Sequence, residues 1–226
     1  MIKVISFKIC PFVQRVTAML EAKGVPHQVE FISLRDKPQW FLELSPNGQV
    51  PVLLTEGGQV LFESDAIVEY LDEVYPRLVE RTPEQRAADR AWSYQASKHY
   101  LVQCSAQRSA DAPSLEERSA KLGKAFAKAE RELGAGPYFN GEVMGNVDLA
   151  WLPLLHRAAI IEARTGYDFL ADYPRVKEWQ GAMLGTGLAA KSVAHDFEDA
   201  FSRFYLSDQT FLGRSARSSA SEARPR

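Results

Sequence analysis

The chain has 226 residues, 46% hydrophobic and 25% charged, enough for the core of one large domain or two small ones. Its net charge of -2 gives no reason to expect nucleic acid or an anionic membrane surface as a partner, and no apolar run reaches the roughly 18 residues of a membrane span. Two cysteines, Cys10 and Cys104, make no disulfide framework, and the N-terminus carries no signal-peptide pattern, so the expected location is a reducing, cytoplasmic compartment.

Taken in chain order, Ile2 to Phe7 reads as a short buried strand. The stretch Cys10-Pro11-Phe12-Val13-Gln14-Arg15 then opens a helix, with Val13, Val16 and Leu20 on one line. Pro11 suits the first helical position, where its missing N–H would be unpaired anyway. Cys10 therefore sits at the mouth of a helix, where free N–H groups and the helix dipole favour negative charge. The expectation is a lowered thiol pKa and a thiolate near neutral pH. Position 13 is valine, so a reactive Cys10 has no neighbouring thiol there and needs an external one. The competing reading is a small buried hydrophobe.

Lys23-Gly24-Val25-Pro26 reads as a helix stop. His27 to Ile32 alternates like a strand, Lys37 to Leu44 is a short amphipathic turn or helix, and Ser45-Pro46-Asn47-Gly48 is a loop. Val50 to Leu54 and Gln59 to Phe62 flank Glu56-Gly57-Gly58 as a hairpin. Ser64 is expected to cap a helix with apolar positions Ile67, Tyr70, Leu71 and Val74.

Residues 76–83 read as a linker, and beyond them only helices are expected: Glu84 to Arg108, Ser114 to Leu133, Val147 to Arg164, Tyr173-Pro174 through Met183, and one or two within Ala189 to Phe204. The segment from Val147 is apolar on nearly every face and belongs in the middle of a domain, with a distortion at Pro153. Trp92, Trp151 and Trp179 read as core. Residues 207–226, rich in serine, alanine and arginine, read as a disordered tail.

Three further places bear on Cys10. A proline at position 51 is awkward in a ladder unless the strand starts there or Val50-Pro51 is cis. If cis, the Val50 N–H and C=O turn outward to pair with an extended, peptide-like ligand; an ordinary strand-starting proline is the alternative. Glu63-Ser64-Asp65 offers a carboxylate, a hydroxyl and free N–H groups, which suits a ligand bearing an ammonium and a carboxylate on one carbon. Lys37 is placed to take a second carboxylate, unless it is simply solvated. His27, His99, His156 and His195 lack metal-ligand spacing, so no metal is expected, and His156 reads as a satisfied core histidine. Cys104 reads as packing, although its helix, with Tyr94, Ser97, His99 and Tyr100, is also a candidate wall for a co-substrate pocket. Ser6 is expected to point away from the site or into the core.

Over roughly residues 1–206 the sequence resembles the cytosolic glutathione transferase family. The resemblance rests on Cys10-Pro11-Phe12 after the first strand, Asn47-Gly48-Gln49-Val50-Pro51-Val52-Leu53, and Phe62-Glu63-Ser64-Asp65-Ala66-Ile67 with Tyr70-Leu71. The cysteine at the active position, Val13-Gln14-Arg15 after it, and Lys37-Pro38-Gln39-Trp40-Phe41 are similar to the omega class and the dehydroascorbate reductases. The resemblance implies a thioredoxin-like α/β domain over 1–76 that binds glutathione, followed by an all-α co-substrate domain over 84–206. It implies Cys10 as the reactive residue with Phe12 beside it. Lys37 would meet the glycyl carboxylate, Val50 the cysteinyl backbone through a cis bond to Pro51, and Glu63 and Ser64 the γ-glutamyl end.

The implied activity is glutathione-dependent thiol transfer or reduction through a mixed disulfide on Cys10, acting on glutathionylated, disulfide or dehydroascorbate-like substrates. Conjugation of glutathione to electrophiles, or a non-catalytic binding role, are the alternatives. A homodimer is implied as well. One departure stands out. Relatives place Ser or Thr as the cap of the buried helix with Asp three residues on, whereas here the cap is Gly145, followed by Asn146 and then Asp148. Gly for Ser at a cap costs only a few tenths of a kcal/mol.

Overall fold

The computed structural model describes residues 1–222. The chain runs β1 (Ile2–Ser6), α1 (Pro11–Ala22), β2 (His27–Phe31), α2 (Gln39–Leu44), β3 (Val52–Leu54), β4 (Val60–Phe62) and α3 (Ser64–Val74). The four strands form one mixed sheet in the order β2-β1-β3-β4. β1 is parallel to β2 and antiparallel to β3, and β3 is antiparallel to β4. This is the thioredoxin-like arrangement that the resemblance implies.

The period-two alternation of β1 and β3 divides the core. Val4 pairs with Leu53, and both face the side covered by Val13, Val16 and Leu20 of α1 and Ile67 and Leu71 of α3. Ile5 pairs with Val52, and these face Phe41 of α2 and Ile32 on the other side. α1 stops as its sequence predicts. Gly24 takes φ 64, its N–H donates to Glu21 O, and the Val25 N–H donates to Leu20 O, the paired bonds of a glycine-terminated helix.

From residue 83 the described chain is helical: α4 (Pro83–Gln107), α5 (Ala112–Glu132), α6 (Asn146–Thr165), α7 (Pro174–Gly185), α8 (Leu188–Lys191), α9 (Phe197–Tyr205) and α10 (Phe211–Glu222). α6 is buried almost throughout, as its unbroken apolar run requires, and packs against α4, α1 and α7. Trp151 and Trp179 are core residues with ring centroids 5.6 Å apart; Trp92 is half-buried against Phe139 at 5.1 Å.

Gly145 is the α6 cap and has no side chain to offer, but the reciprocal half of the cap survives: the Gly145 N–H donates to Asp148 Oδ2 at 2.8 Å. Asp148 also accepts from the Phe139 N–H at 2.8 Å and from Trp179 Nε1 at 2.7 Å. Burial pushes this carboxyl up from its ordinary value, and those donors oppose the rise.

Of the disordered tail expected over 207–226, the described part differs. α10 occupies Phe211–Glu222, and Leu212 is 2% exposed. The Phe211 N–H donates to Ser109 O at 2.8 Å, and Thr210 Oγ1 accepts from the Gly213 N–H at 3.1 Å as a helix cap would. Gly213 lets the helix pass directly against the Leu206–Ser207 backbone, where a Cβ would collide. Residues 223–226 lie outside the described part of the chain.

Candidate active site

Cys10 is the residue before α1, extended at φ -77 and ψ 122, with Pro11 in the first turn. Two anchors hold it there. The buried Arg157 of α6 donates through Nη2 to Ile9 O at 3.2 Å, fixing the loop just before the cysteine. The same guanidinium donates to Gln14 Oε1, and Gln14 Nε2 reaches His156 Nδ1 at 2.9 Å and Ser192 Oγ at 3.3 Å. Arg15 pairs with Asp65 at the start of α3. Gln14 and Arg15 thus tie the cysteine-bearing helix to α6 and α3, a role that their place in the sequence did not signal.

The N–H groups of Val13 and Phe12 point at the Cys10 thiol, as a helix mouth demands. The charge they favour is outweighed. Burial pushes the thiol up from its ordinary value; the two N–H groups, and the Arg157 charge after them, offset this only in part. The expectation of a resident thiolate near neutral pH is therefore corrected: burial of the thiol outweighs the helix N-terminus.

A cavity of about 330 Å³ opens beside the thiol. It is lined by each residue that the resemblance assigns to the reaction or to glutathione: Cys10, Phe12, Lys37, Val50, Pro51, Glu63 and Ser64. Val50-Pro51 is cis. Neither the N–H nor the C=O of Val50 has a hydrogen-bond partner among the described residues. Lys37 is half-buried and has no ion pair among the described residues. Ser64 is 5% exposed, and its hydroxyl has no partner among the described residues, although it is not sealed from the cavity.

Ser64 is the first residue of α3 rather than its cap. The cap is Glu63, held at φ 66 and ψ 116 without a side-chain cap hydrogen bond. A non-glycine residue at positive φ costs on the order of 1–3 kcal/mol and marks a backbone over-determined by its surroundings. Here it leaves the α3 N–H groups open and turns the Glu63 carboxylate to the cavity rim, where Asn47 Nδ2 donates to it at 3.0 Å.

The cavity also takes in Leu34, Asn47, Gly48, Gln49, Phe62 and Leu101, none of which was assigned a role from sequence. Asn47, Gly48 and Gln49 lie within the quoted motif, so proximity to Val50 was their available signal. Leu101 is the contribution of α4. Tyr94, Ser97, His99 and Tyr100 do not line this cavity; the Tyr100 ring packs edge-on against Phe12 at 5.0 Å and its hydroxyl donates to Ala150 O. Ser6 is buried and outside this cavity.

Cys104 is half-buried against the core, close to the Tyr205 side chain. His156 stacks on Phe197 at 5.2 Å, and burial lowers its pKa to about 3, so it is a neutral, satisfied core residue. No cluster of three or more potential metal-ligating side chains occurs among the described residues, and no described helix is long and apolar enough to cross a membrane.

Residues 9–74 match the model for the glutathione S-transferase N-terminal domain, and residues 112–179 that for the C-terminal domain. The chain is 35% identical over 191 residues to glutathione S-transferase omega-1 of Sus scrofa, covering 81% of this chain and 77% of that protein. It is 34% identical over 151 residues to glutathione S-transferase DHAR2 of Arabidopsis thaliana, covering 67% and 68% of the two chains. The structure of glutathione transferase Omega 3C from Trametes versicolor superposes with a TM-score of 0.74 at 25% identity, covering 85% of this chain and 89% of that one.

Proposed function

The chain belongs to the glutathione S-transferase family, and on that premise we propose that it is a glutathione-dependent thiol transferase or reductase whose working residue is Cys10. The observation that carries this reading is one cavity in which a thiol, an unpaired lysine, the open backbone of Val50 and the uncapped start of α3 all meet. Their chemistry matches glutathione in order. Lys37 takes the glycyl carboxylate, and Val50 pairs with the cysteinyl backbone. Ser64 and the α3 N–H groups take the γ-glutamyl carboxylate, with Glu63 for its ammonium.

The cycle follows from a single thiol. Cys10 gives up its thiol proton, and its sulfur attacks the glutathionyl sulfur of a mixed disulfide R–S–SG. The S–S bond breaks, RS⁻ leaves and takes a proton, and Cys10 holds glutathione as a new disulfide. A second glutathione, as thiolate, attacks the glutathionyl sulfur, and glutathione disulfide leaves with Cys10 restored as thiolate. Valine at position 13 leaves that second step to an external thiol. The burial that raises the Cys10 thiol favours one rival, conjugation, in which a neutral Cys10 thiol donates to a glutathione thiolate.

A homodimer, a glutathione-binding domain over 1–76 and a co-substrate domain over 84–206 complete the proposal. The test is reduction of a glutathionyl mixed disulfide, coupled to glutathione reductase, by wild type and Cys10→Ser. Turnover lost in the variant supports thiol transfer. Conjugation of 1-chloro-2,4-dinitrobenzene retained in Cys10→Ser, with no mixed-disulfide turnover by wild type, would move the assignment to conjugation.

A further inference from the structure

Cys10 lines a second cavity as well, of about 250 Å³, which shares no other residue with the glutathione cavity. One wall is the edge strand of the sheet: His27, Val29 and Phe31 alternate along β2 and so present one face to it. The opposite wall runs from Lys191, the last residue of α8, to His195 before α9. Lys8, in the β1–α1 loop, lines the cavity too and binds Asp196 Oδ2 at 2.7 Å, which fastens that loop to the residue before α9.

The chemistry of this cavity is one-sided. Val29, Phe31 and their neighbours give it an apolar bed, and Phe31 is left 40% exposed. Lys8, His27, Lys191 and His195 give it a basic rim, and no acidic residue is among those lining it. Asp196 answers Lys8, and Glu21 lies 3.7 Å from His27 Nε2. Lys191 and His195 have no ion-pair partner among the described residues.

We propose that this second cavity binds the co-substrate, and that the co-substrate is a small carboxylic acid with an apolar body, brought to Cys10 from the side opposite glutathione. The proposal rests on the reading of Cys10 as the reactive thiol. An apolar bed removes the body of such a molecule from water, and Lys191 and His195, the two rim residues without an ion pair among the described residues, draw its carboxylate. Cys10 is the one residue that lines both cavities, so a molecule in either one lies beside it. The space is smaller than the glutathione cavity, so it suits a compact acid rather than a second tripeptide.

The experiment compares alkylation of Cys10 by iodoacetate and by iodoacetamide, with the site read by peptide mass. Both form an S–C bond and release iodide, and they differ by one negative charge. Wild type is set against Lys191→Glu, His195→Glu and, on the glutathione side, Lys37→Glu. Phenylacetate serves as an unreactive probe of the cavity. The iodoacetate-to-iodoacetamide rate ratio is expected to fall roughly five-fold in Lys191→Glu and His195→Glu and by less than about two-fold in Lys37→Glu. Phenylacetate should slow labelling of wild type in a saturable way and lose that effect in Lys191→Glu. Equal ratios in all four proteins, or phenylacetate protection untouched by Lys191→Glu, would overturn the proposal. No labelling of Cys10 by either reagent on folded wild type would overturn the reading beneath it, and the proposal with it.

Discussion

The cavity beside Cys10 and the interior around α6 are both rich in polar groups, and they treat them in opposite ways. Around α6 nearly all the groups are matched, with Arg157 Nε the exception on that helix. Asp148 accepts three hydrogen bonds, His156 is bonded to Gln14, and Arg157 reaches Gln14, Pro153 O and Ile9 O. Beside Cys10 they are left over: Lys37, the backbone of Val50 and the Ser64 hydroxyl have no protein partner among the described residues. Buried polar groups are normally satisfied because each orphan costs about 1–3 kcal/mol. Leftover groups that converge on one space therefore point to a ligand, while matched groups point to architecture.

That contrast can be broken from either side. The largest effect is expected at Asp148→Ala, which orphans the Phe139 and Gly145 N–H groups and Trp179 Nε1 together; urea unfolding should show a loss of about 3–5 kcal/mol. The folded fraction should keep its KM for glutathione. A large KM change with little loss of stability would place Asp148 on the ligand side of the divide.

His156 gives a pH signature. Its folded pKa of about 3 lies below its unfolded value near 6.5, so the neutral ring contributes fully above pH 6.5. Its contribution is lost as pH falls toward 3, because the unfolded chain takes up the proton first. Between pH 6.5 and pH 5 wild type should lose about 2 kcal/mol through this residue, and His156→Gln should show a correspondingly flatter profile. Identical pH profiles for the two proteins would contradict the buried neutral ring.

The smallest effect on stability is expected in the cavity. Lys37→Ala and Ser64→Ala should leave the melting temperature nearly unchanged, since neither residue bonds to the protein, yet each should raise KM for glutathione roughly ten-fold. A destabilised Ser64→Ala with unchanged KM would make Ser64 an architectural residue after all.

Most of the candidate site was legible because its parts are local in sequence. A cysteine before a proline at a helix mouth, a proline at a strand start and a helix opening at Glu63-Ser64 each announce themselves within a few residues. What was illegible needed three dimensions. The helix mouth argues for a thiolate, but whether burial outweighs it depends on α4 and α6 closing over Cys10 from far along the chain. The α3 cap was misplaced by one residue because Ser is the better cap by type, while the backbone turns at Glu63. α10 escaped because a run of serine, alanine and arginine has little apolar surface. Its signals were Thr210 as a cap and Phe211-Leu212 as an anchor, and their worth lies in docking on helices distant in sequence.

The most direct measurement is the intact mass of folded wild type and Cys10→Ser after incubation with glutathione disulfide, followed by addition of glutathione. The account predicts one glutathionyl adduct on wild type, none on Cys10→Ser, and removal of the adduct by glutathione. An adduct of equal yield on the variant, or no adduct on wild type, would contradict it.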